Sequence, residues 1–199
     1  VFTDNSNDDS YPPGKKQEKL DFTYFGCIYR DVWMVLHKDV YVSHPLAVDK
    51  IAGGGVFVHF ENLSKKFVEI IVKADVVNES TSKLVIFKSQ LIDKSGKEVG
   101  SVITELKLAA NSSSNCQFKI RLKNPLLWEP DAPYLYDLKI NILDKKGEVL
   151  DAFKKRIGIR SIEMKGKEGL FLNGKPYREK LIGANRHQDF AHIGNALSN

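Results

Sequence analysis

Apolar and polar residues alternate with a period of two over much of the chain between residues 45 and 160. In one such run Val56, Val58 and Phe60 fall on one face, while Phe57 and His59 fall on the other. This alternation is typical of antiparallel strands that have one buried face and one solvated face. It predicts eight strands, separated by turn-forming residues: 46–51, 55–63, 67–77, 84–92, 99–108, 115–122, 135–143 and 148–159.

Three turns have the composition of tight hairpins. The segments 93–96 and 144–147 each begin with Asp and end with Gly, which favours a type I turn. Asn173 and Gly174 lie between two short apolar runs and predict a turn in which both central residues have positive φ. So many short strands joined by tight turns indicate a β-sandwich rather than a solenoid.

The two flanking regions differ from this pattern. Residues 1–20 are rich in Asn, Asp, Pro and Gly, which predicts a long surface loop. Residues 22–42 are rich in aromatic and β-branched side chains, which predicts a regular, strand-like segment. Residues 180–184 predict a short buried strand that ends at a polar cluster, 185–189. Polar side chains after a buried strand are where parallel α/β folds build active sites.

Composition and charge exclude several classes of protein. The net charge is +5, and the lysines are spread over loops and alternating strands, so we predict solvated faces and no nucleic-acid surface. No apolar run approaches the ~18 residues of a membrane helix, so we predict no membrane insertion. Two cysteines, Cys27 and Cys116, are too few for a disulfide-dense scaffold or a four-cysteine zinc site.

Most residues that could carry chemistry have a simpler interpretation. His187 and His192 lie five residues apart without further ligands, so they do not predict a metal site. Glu79 lies in a turn between predicted strands, and Cys27 lies in an aromatic segment where a small packed residue is expected. The glycines at 53–55 lack the lysine and helix of a phosphate-binding loop.

Three motifs occur in the order and at the spacing found in glycoside hydrolase family 2. They are Gly-x-Ile-Tyr-Arg-Asp-Val at 26–32, Leu-Trp-x-Pro-Asp-x-Pro-x-Leu-Tyr at 127–136, and Leu-Asn-Gly-Lys-Pro followed by Gly-Ala-Asn-Arg-His at 172–187. The chain resembles the middle of such an enzyme and is most similar to bacterial β-galactosidases. The resemblance implies an excised piece of a longer protein.

The resemblance also implies a mainly β fold in three parts. Residues 1–42 would be the C-terminal end of a jelly-roll sugar-binding domain, and residues 43–160 would be an immunoglobulin-like antiparallel β-sandwich. Residues 161–199 would be the truncated start of a (β/α)8 catalytic barrel. Because one barrel strand cannot bury both its faces alone, we expect the two flanking parts to be poorly packed in this chain.

Family members are retaining glycosidases, whose two carboxyl groups lie about 5–5.5 Å apart. In the family both are glutamates further along the barrel, and no glutamate of this chain matches them. The resemblance therefore implies a parent enzyme that hydrolyses terminal β-galactosides and a fragment that is inactive alone. A fragment of a β-glucuronidase or β-mannosidase is an alternative. Another is a non-catalytic module that binds carbohydrate or protein; Trp33 and Trp128 are its candidate platforms, although their apolar neighbours favour packing.

The family's sugar subsite can be carried over residue by residue. Asp21 matches an aspartate that contacts galactose and, in some members, a sodium ion. His187 matches a histidine that hydrogen-bonds the sugar, and the adjacent Asn185 and Arg186 would hold the loop of the same subsite. The chain would need no cofactor, whereas the parent would use sodium or magnesium. Expected partners are a β-galactoside or related glycan, the rest of the polypeptide and a second copy; family habit favours a periplasmic or secreted enzyme.

Overall fold

The computed structural model describes residues 6, 16–20, 26, 28, 30–51, 53–179, 181–186, 190 and 192–194. Contacts divide the chain into a large unit, Leu36–Arg178, and a smaller one that joins residues up to Val35 with those from Glu179 onward. Among the described residues the regular structure is antiparallel strand, with short 3-10 turns at Gln17–Lys19 and Gly166–Glu168. None of the described helical segments has the length and apolar character that a membrane span requires.

The larger unit contains two four-stranded sheets. The first consists of β1 (Val40–Val42), β2 (Val56–Glu61), β3 (Phe67–Asn78) and β6 (Ser112–Lys123). In this sheet β3 is the central strand: β6 pairs along its full length, and β1 and β2 share its other edge. The second has the order β5-β4-β7-β8, from β4 (Lys83–Ile92), β5 (Glu98–Leu108), β7 (Tyr136–Leu143) and β8 (Val149–Ile157).

The hydrophobic core takes alternate residues from both sheets. The first sheet contributes Val56, Val58 and Phe60 of β2, as the alternation predicted, together with alternate residues of β3 and β6. The second contributes alternate residues of β4 and β7, and the rings of Phe87 and Phe118, from different sheets, lie 6.1 Å apart. Full burial of side chains of this size stabilises the fold by about 1.5–3 kcal/mol each.

The two Asp-to-Gly hairpin turns are confirmed, and they have the same structure. The N–H of Gly96 donates to the carbonyl of Asp93 at 3.0 Å, and the N–H of Gly147 donates to that of Asp144 at 3.1 Å. In each turn the aspartate Oδ1 also accepts backbone N–H groups two and four residues later. The two glycines have φ of 85° and 84°, which side chains rarely adopt.

A third, smaller sheet follows the sandwich in the chain. Its order is β11-β10-β9, from β9 (Ile162–Met164), β10 (Leu170–Leu172) and β11 (Lys175–Pro176). The turn between β10 and β11 consists of Asn173, with φ of 52°, and Gly174, with φ of 74°. The prediction of two positive φ values at this Asn-Gly pair is therefore confirmed.

Seven of the eight predicted sandwich strands are present, and the prediction of a strand at 46–51 is wrong. Residues 45–49 form consecutive turns, in which the carbonyl of His44 accepts the N–H groups of Ala47 and Val48. Leu46 and Ile51 are 88% and 102% exposed, so the apolar pattern here does not correspond to a buried face. Pro45 and the left-handed Asp49 favour turns over a strand.

The predicted regular segment at 22–42 is wrong over most of its described part. Only Val40–Val42 form a strand, while residues 30–38 have no regular structure and Trp33 is 80% exposed. The prediction of a buried strand at 180–184 is also wrong, because residues 181–186 have no regular structure and Ile182 is 91% exposed. Residues 30–38 and 181–184 pair with no described strand, so they lack the hydrogen bonds that would hold them extended.

Candidate functional site

Two of the four residues of the predicted sugar subsite are among those that the structure describes. Asp21 and His187 lie outside the described residues, as does Cys27. Asn185 and Arg186 are described; both are exposed and belong to the irregular stretch 181–186. The substrate-contact and sodium assignments therefore stay predictions. Among the described residues no group of three or more His, Cys, Asp or Glu side chains could hold a metal ion.

Two of the three sequence motifs meet where the sandwich leads into the third sheet. Asn173, of the Leu-Asn-Gly motif, donates from Nδ2 to the carbonyl of Trp128, of the Leu-Trp motif, at 3.1 Å. Its Oδ1 accepts the N–H of Ser161 at 3.1 Å, and its own N–H donates to the carbonyl of Ser161 at 3.0 Å. One side chain thus ties the 127–136 segment to the start of the third sheet.

The indole of Trp128 completes this junction, which we define as Trp128, Gly158, Arg160, Ser161 and Asn173. A Cβ at Gly158 would lie 2.8 Å from the indole Cδ1, so only glycine allows the ring to approach the backbone this closely. The guanidinium carbon of Arg160 lies 4.9 Å from the centroid of the Trp128 ring, within the range of a cation–π contact. The prediction that Trp128 is a packed residue is confirmed, because its ring lies against Gly158. The same prediction for Trp33 is wrong, because Trp33 is 80% exposed.

A buried carboxylate holds the loop that precedes β2. Asp75 is 3% exposed, and its two oxygens accept hydrogen bonds from Lys50 Nζ at 2.8 and 3.0 Å. Oδ2 also accepts the hydroxyl of Ser43 at 2.6 Å, and Lys50 donates further to Ser113 Oγ at 3.0 Å. A buried charge needs such partners, and these contacts hold loop 43–55 against β3 and β6.

A second carboxylate lies on the same outward-facing side of β3. Glu69, whose side chain is 8% exposed, accepts hydrogen bonds from Lys119 at 2.9 Å, Arg121 at 2.8 Å and Asn62 at 2.7 Å. The bonds from Lys119, Arg121 and Asn62, in that order of effect, lower the pKa of Glu69 to about 2. The carboxylate is therefore ionised at neutral pH and cannot donate a proton as a general acid.

The spacing of these two carboxylates also excludes them as a hydrolytic pair. Glu69 and Asp75 are six residues apart on one extended strand, which separates their backbone positions by about 20 Å. A retaining glycosidase needs carboxyl groups about 5–5.5 Å apart. Glu79, the other acidic residue considered from the sequence, accepts the hydroxyl of Tyr41 at 2.9 Å. The buried acidic residues of the sandwich thus have structural roles.

Sequence reasoning missed both buried networks. The available signal was an acidic residue at two positions within a mainly apolar run, since β3 reads Phe67-Val-Glu-Ile-Ile-Val-Lys-Ala-Asp75. Charged residues are rarely buried unless they are paired, so each position predicts a partner. The sequence could not identify those partners, because Lys50, Lys119 and Arg121 are 25, 50 and 52 residues away.

Comparison with known proteins identifies the family. The family model described as glycosyl hydrolases family 2 matches residues 54–160. The chain belongs to this family. Its match covers the sandwich whose strands and turns are described above, so the resemblance carried by the three motifs is confirmed.

Curated relatives of this family 2 chain include both galactosidases and glucuronidases. It is 29% identical over 197 residues to a β-galactosidase of Thermoanaerobacter pseudethanolicus, covering 99% of the chain and 24% of that protein. It is 32% identical over 199 residues to a putative β-glucuronidase of Formosa agariphila, covering 100% of the chain and 22% of that protein. The chain thus spans about a quarter of the length of these relatives.

Solved structures resemble the chain over almost its whole length. A putative β-galactosidase from Bacteroides fragilis matches with a TM-score of 0.82 at 28% identity, covering 98% of this chain and 28% of that one. A Bacteroides uniformis β-glucuronidase matches with a TM-score of 0.80 at 27% identity, covering 98% of this chain and 22% of that one.

Proposed function

We propose that this chain is the scaffold part of a longer retaining glycosidase that hydrolyses terminal β-galactosides. The observation that carries the proposal is the coverage of the comparisons. Relatives named as β-galactosidases match nearly all of this chain, while the chain spans about a quarter of them. The reacting groups of the parent then lie in the part beyond this segment. A β-glucuronidase is the second candidate, favoured by the 32% identity to the putative enzyme of Formosa agariphila.

We propose further that the chain is inactive alone. The two carboxylates buried on the outer side of β3 are fully engaged, Glu69 with Lys119, Arg121 and Asn62, and Asp75 with Lys50 and Ser43. Neither can take the role of acid/base or nucleophile, because each would have to give up its bonds to basic partners. Hydrolysis needs both roles at one sugar, and the engagement of these two carboxylates supports the proposal that the chain alone is inactive.

Three structural parts are proposed within the chain. The two facing sheets, with β3 paired to β6 and the order β5-β4-β7-β8 opposite, support an immunoglobulin-like sandwich at 43–160. Residues 1–42 would close a jelly-roll domain, with β1 (Val40–Val42) at their end paired to β3 of the sandwich, and residues 161–199 would begin the (β/α)8 barrel. The exposure of Leu181 and Ile182, at 76% and 91%, supports this division, because a barrel strand becomes buried only beside its neighbours.

In the parent, Asp21 and His187 would contact the sugar, and Asn185 and Arg186 would hold the loop that presents His187. Donors such as the His187 imidazole contribute most when their bonds to sugar hydroxyls strengthen in the transition state. A sodium ion at Asp21, or a magnesium ion elsewhere in the parent, is proposed on family resemblance alone.

Expression of this chain, and of the uninterrupted reading frame that contains it, tests the proposal. Both proteins are assayed on the 4-nitrophenyl β-galactoside, β-glucuronide and β-mannoside. We expect no turnover by the chain and fastest turnover of the galactoside by the parent. Fastest turnover of the glucuronide would establish the second candidate, and turnover by the chain would contradict the scaffold role. In the parent, His187→Ala should lower kcat/KM by about 10- to 100-fold, and Lys175→Ala, an exposed residue of β11, serves as its control.

A further inference from the structure

The outer face of the first sheet carries an aromatic side chain in a row with two polar ones. Phe57 of β2 is 49% exposed and points away from the core. The strand register places Phe57 opposite Lys73 of β3, and Lys73 opposite Gln117 of β6. Because neighbouring strands lie about 4.8 Å apart, the row extends about 10 Å across the sheet, which is the span of two linked sugar rings.

The polar side chains around Phe57 are available to a ligand. Lys73, Asn115 and Gln117 are exposed, and the structure gives none of their side chains a hydrogen bond or ion pair with another described residue. They differ in this from two other cations of the same face, since Lys50 is bound to Asp75 and Lys119 to Glu69. An ammonium and two amides with unused donors and acceptors therefore line the same depression as the ring, on the side of β3 and β6.

The loop that precedes β2 makes the wall beside this row. The depression that contains Phe57, Lys73, Asn115 and Gln117 is also lined by this loop, through Lys50 and the glycines at 53–55. A Cβ at Gly54 would lie 2.6 Å from Val48, and one at Gly55 would lie 2.7 Å from Pro45, so the loop is packed against itself. Hydrogen bonds from Ser43 and Lys50 to Asp75 hold the loop against β3. The N–H of Gly55 donates to Ser43 Oγ at 3.0 Å. The depression is thus formed before any ligand arrives, which limits the entropy lost on binding.

We propose that this depression binds a glycan that carries an anionic group, such as a uronate residue. The ring of Phe57 offers a flat apolar surface to the C–H face of a pyranose. The amides of Asn115 and Gln117 can donate to and accept from adjacent hydroxyl groups, and the ammonium of Lys73 pairs with the sugar carboxylate. A few polar groups placed around an apolar surface are the usual composition of a small-molecule site. The inference goes beyond the proposed hydrolysis and uses none of its residues.

Isothermal titration calorimetry on the 199-residue chain tests this proposal, with an oligogalacturonate and a neutral galacto-oligosaccharide of equal length as probes. We expect the acidic sugar to bind more tightly and its affinity to fall as salt is raised. Phe57→Ala should weaken binding about tenfold or more, since it removes the apolar contact area. Phe57→Tyr, which keeps the ring, should retain binding. Lys73→Gln should weaken it about fivefold or less and reduce the salt dependence.

Ile103→Ala is the matched control, because Ile103 is 65% exposed on β5, an edge strand of the other sheet. It should leave binding unchanged, and urea unfolding of every variant shows whether it is folded. Absence of binding by either sugar, or binding that Phe57→Ala leaves unchanged, would overturn the proposal. Equal binding of both sugars that is insensitive to Lys73→Gln would overturn the anionic assignment. No turnover is measured, so these outcomes are independent of whether the parent is a galactosidase.

Discussion

Asn173 fixes the third sheet to the sandwich. Three substitutions at this position can separate the contribution of its side-chain hydrogen bonds from that of its left-handed backbone. Asn173→Gly removes both side-chain hydrogen bonds, to the Trp128 carbonyl and from the Ser161 N–H, but accepts the backbone φ of 52°. Asn173→Ala removes the same bonds and also places a Cβ at a left-handed φ. Asn173→Asp keeps the acceptor for Ser161 and loses the donor to Trp128.

The expected magnitudes follow from these contacts. A net 0.5–1.5 kcal/mol for each hydrogen bond gives about 1–3 kcal/mol for Asn173→Gly. The left-handed conformation adds about 1–2 kcal/mol for alanine. Because 1.4 kcal/mol corresponds to a factor of ten, the amides of β9 and β10 should exchange about 5- to 150-fold faster in Asn173→Gly. Exchange in Asn173→Ala should be faster again by about 5- to 30-fold, and Asn173→Asp should lie between wild type and Asn173→Gly.

Hydrogen exchange monitored by NMR measures these changes at single amides. Phe171 of β10 and Glu163 of β9 report on the third sheet, because the two residues pair in its ladder. Ile140, at the centre of the sandwich, reports on global unfolding and should not change. Lys175→Ala, an exposed substitution in the same hairpin, is the control. Wild-type exchange at Phe171 and Glu163 in Asn173→Gly would refute the role assigned to the two hydrogen bonds.

Three further predictions concern the sandwich itself. Ser89→Ala should leave the protein equally stable or about 1 kcal/mol more stable in urea, because the Ser89 hydroxyl is buried without a partner among the described residues; a clear loss of stability would contradict this. The pKa of Glu69 is lowered from 4.5 to about 2 in the folded chain, so wild-type stability should fall as pH falls from about 4.5 to about 2. The stability of Glu69→Gln should depend less on pH over this range. An equal loss of unfolding free energy in wild type and Glu69→Gln, measured at pH 7, 4 and 3, would contradict this prediction. Burial, with a smaller contribution from Asp75, raises the pKa of the Cys116 thiol to about 11; iodoacetamide at pH 8 should therefore leave Cys116 unmodified until the chain unfolds, as peptide mapping would show.

The sandwich strands could be predicted because each buries one face, so the alternation of β2, with Val56, Val58 and Phe60 inward, is visible in the sequence. The hairpin turns were equally predictable, since Asp93, Asp144 and the Asn173-Gly174 pair carry their own local reasons to turn. The segment 46–51 was mispredicted because Leu46 and Val48 have the spacing of one strand face, while the loop is held by a contact of Lys50 with Asp75, 25 residues away.

The candidate sites were less predictable than the fold. The motifs identified the family, but Asp21 and His187 lie outside the described residues, so their geometry stays a prediction. The row of Phe57, Lys73 and Gln117 could not be found from sequence, because it depends on the register of three strands. Phe57 and Lys73 are 16 residues apart in the chain, and Lys73 and Gln117 are 44 residues apart. Trp128, a candidate platform on sequence grounds, instead packs its ring on Gly158.

The buried carboxylates explain why that register is well determined. Since side chains alternate across a sheet, a slip of β3 by one residue would turn Glu69 and Asp75 into the core and turn Val68 and Ala74 outward. Burial of either charge without its partners would cost several kcal/mol. In the native register Glu69 reaches Lys119 and Arg121 of β6, and Asp75 reaches Lys50 of the preceding loop. The two networks thus fix β3 near both ends, and the same register sets Phe57, Lys73 and Gln117 side by side.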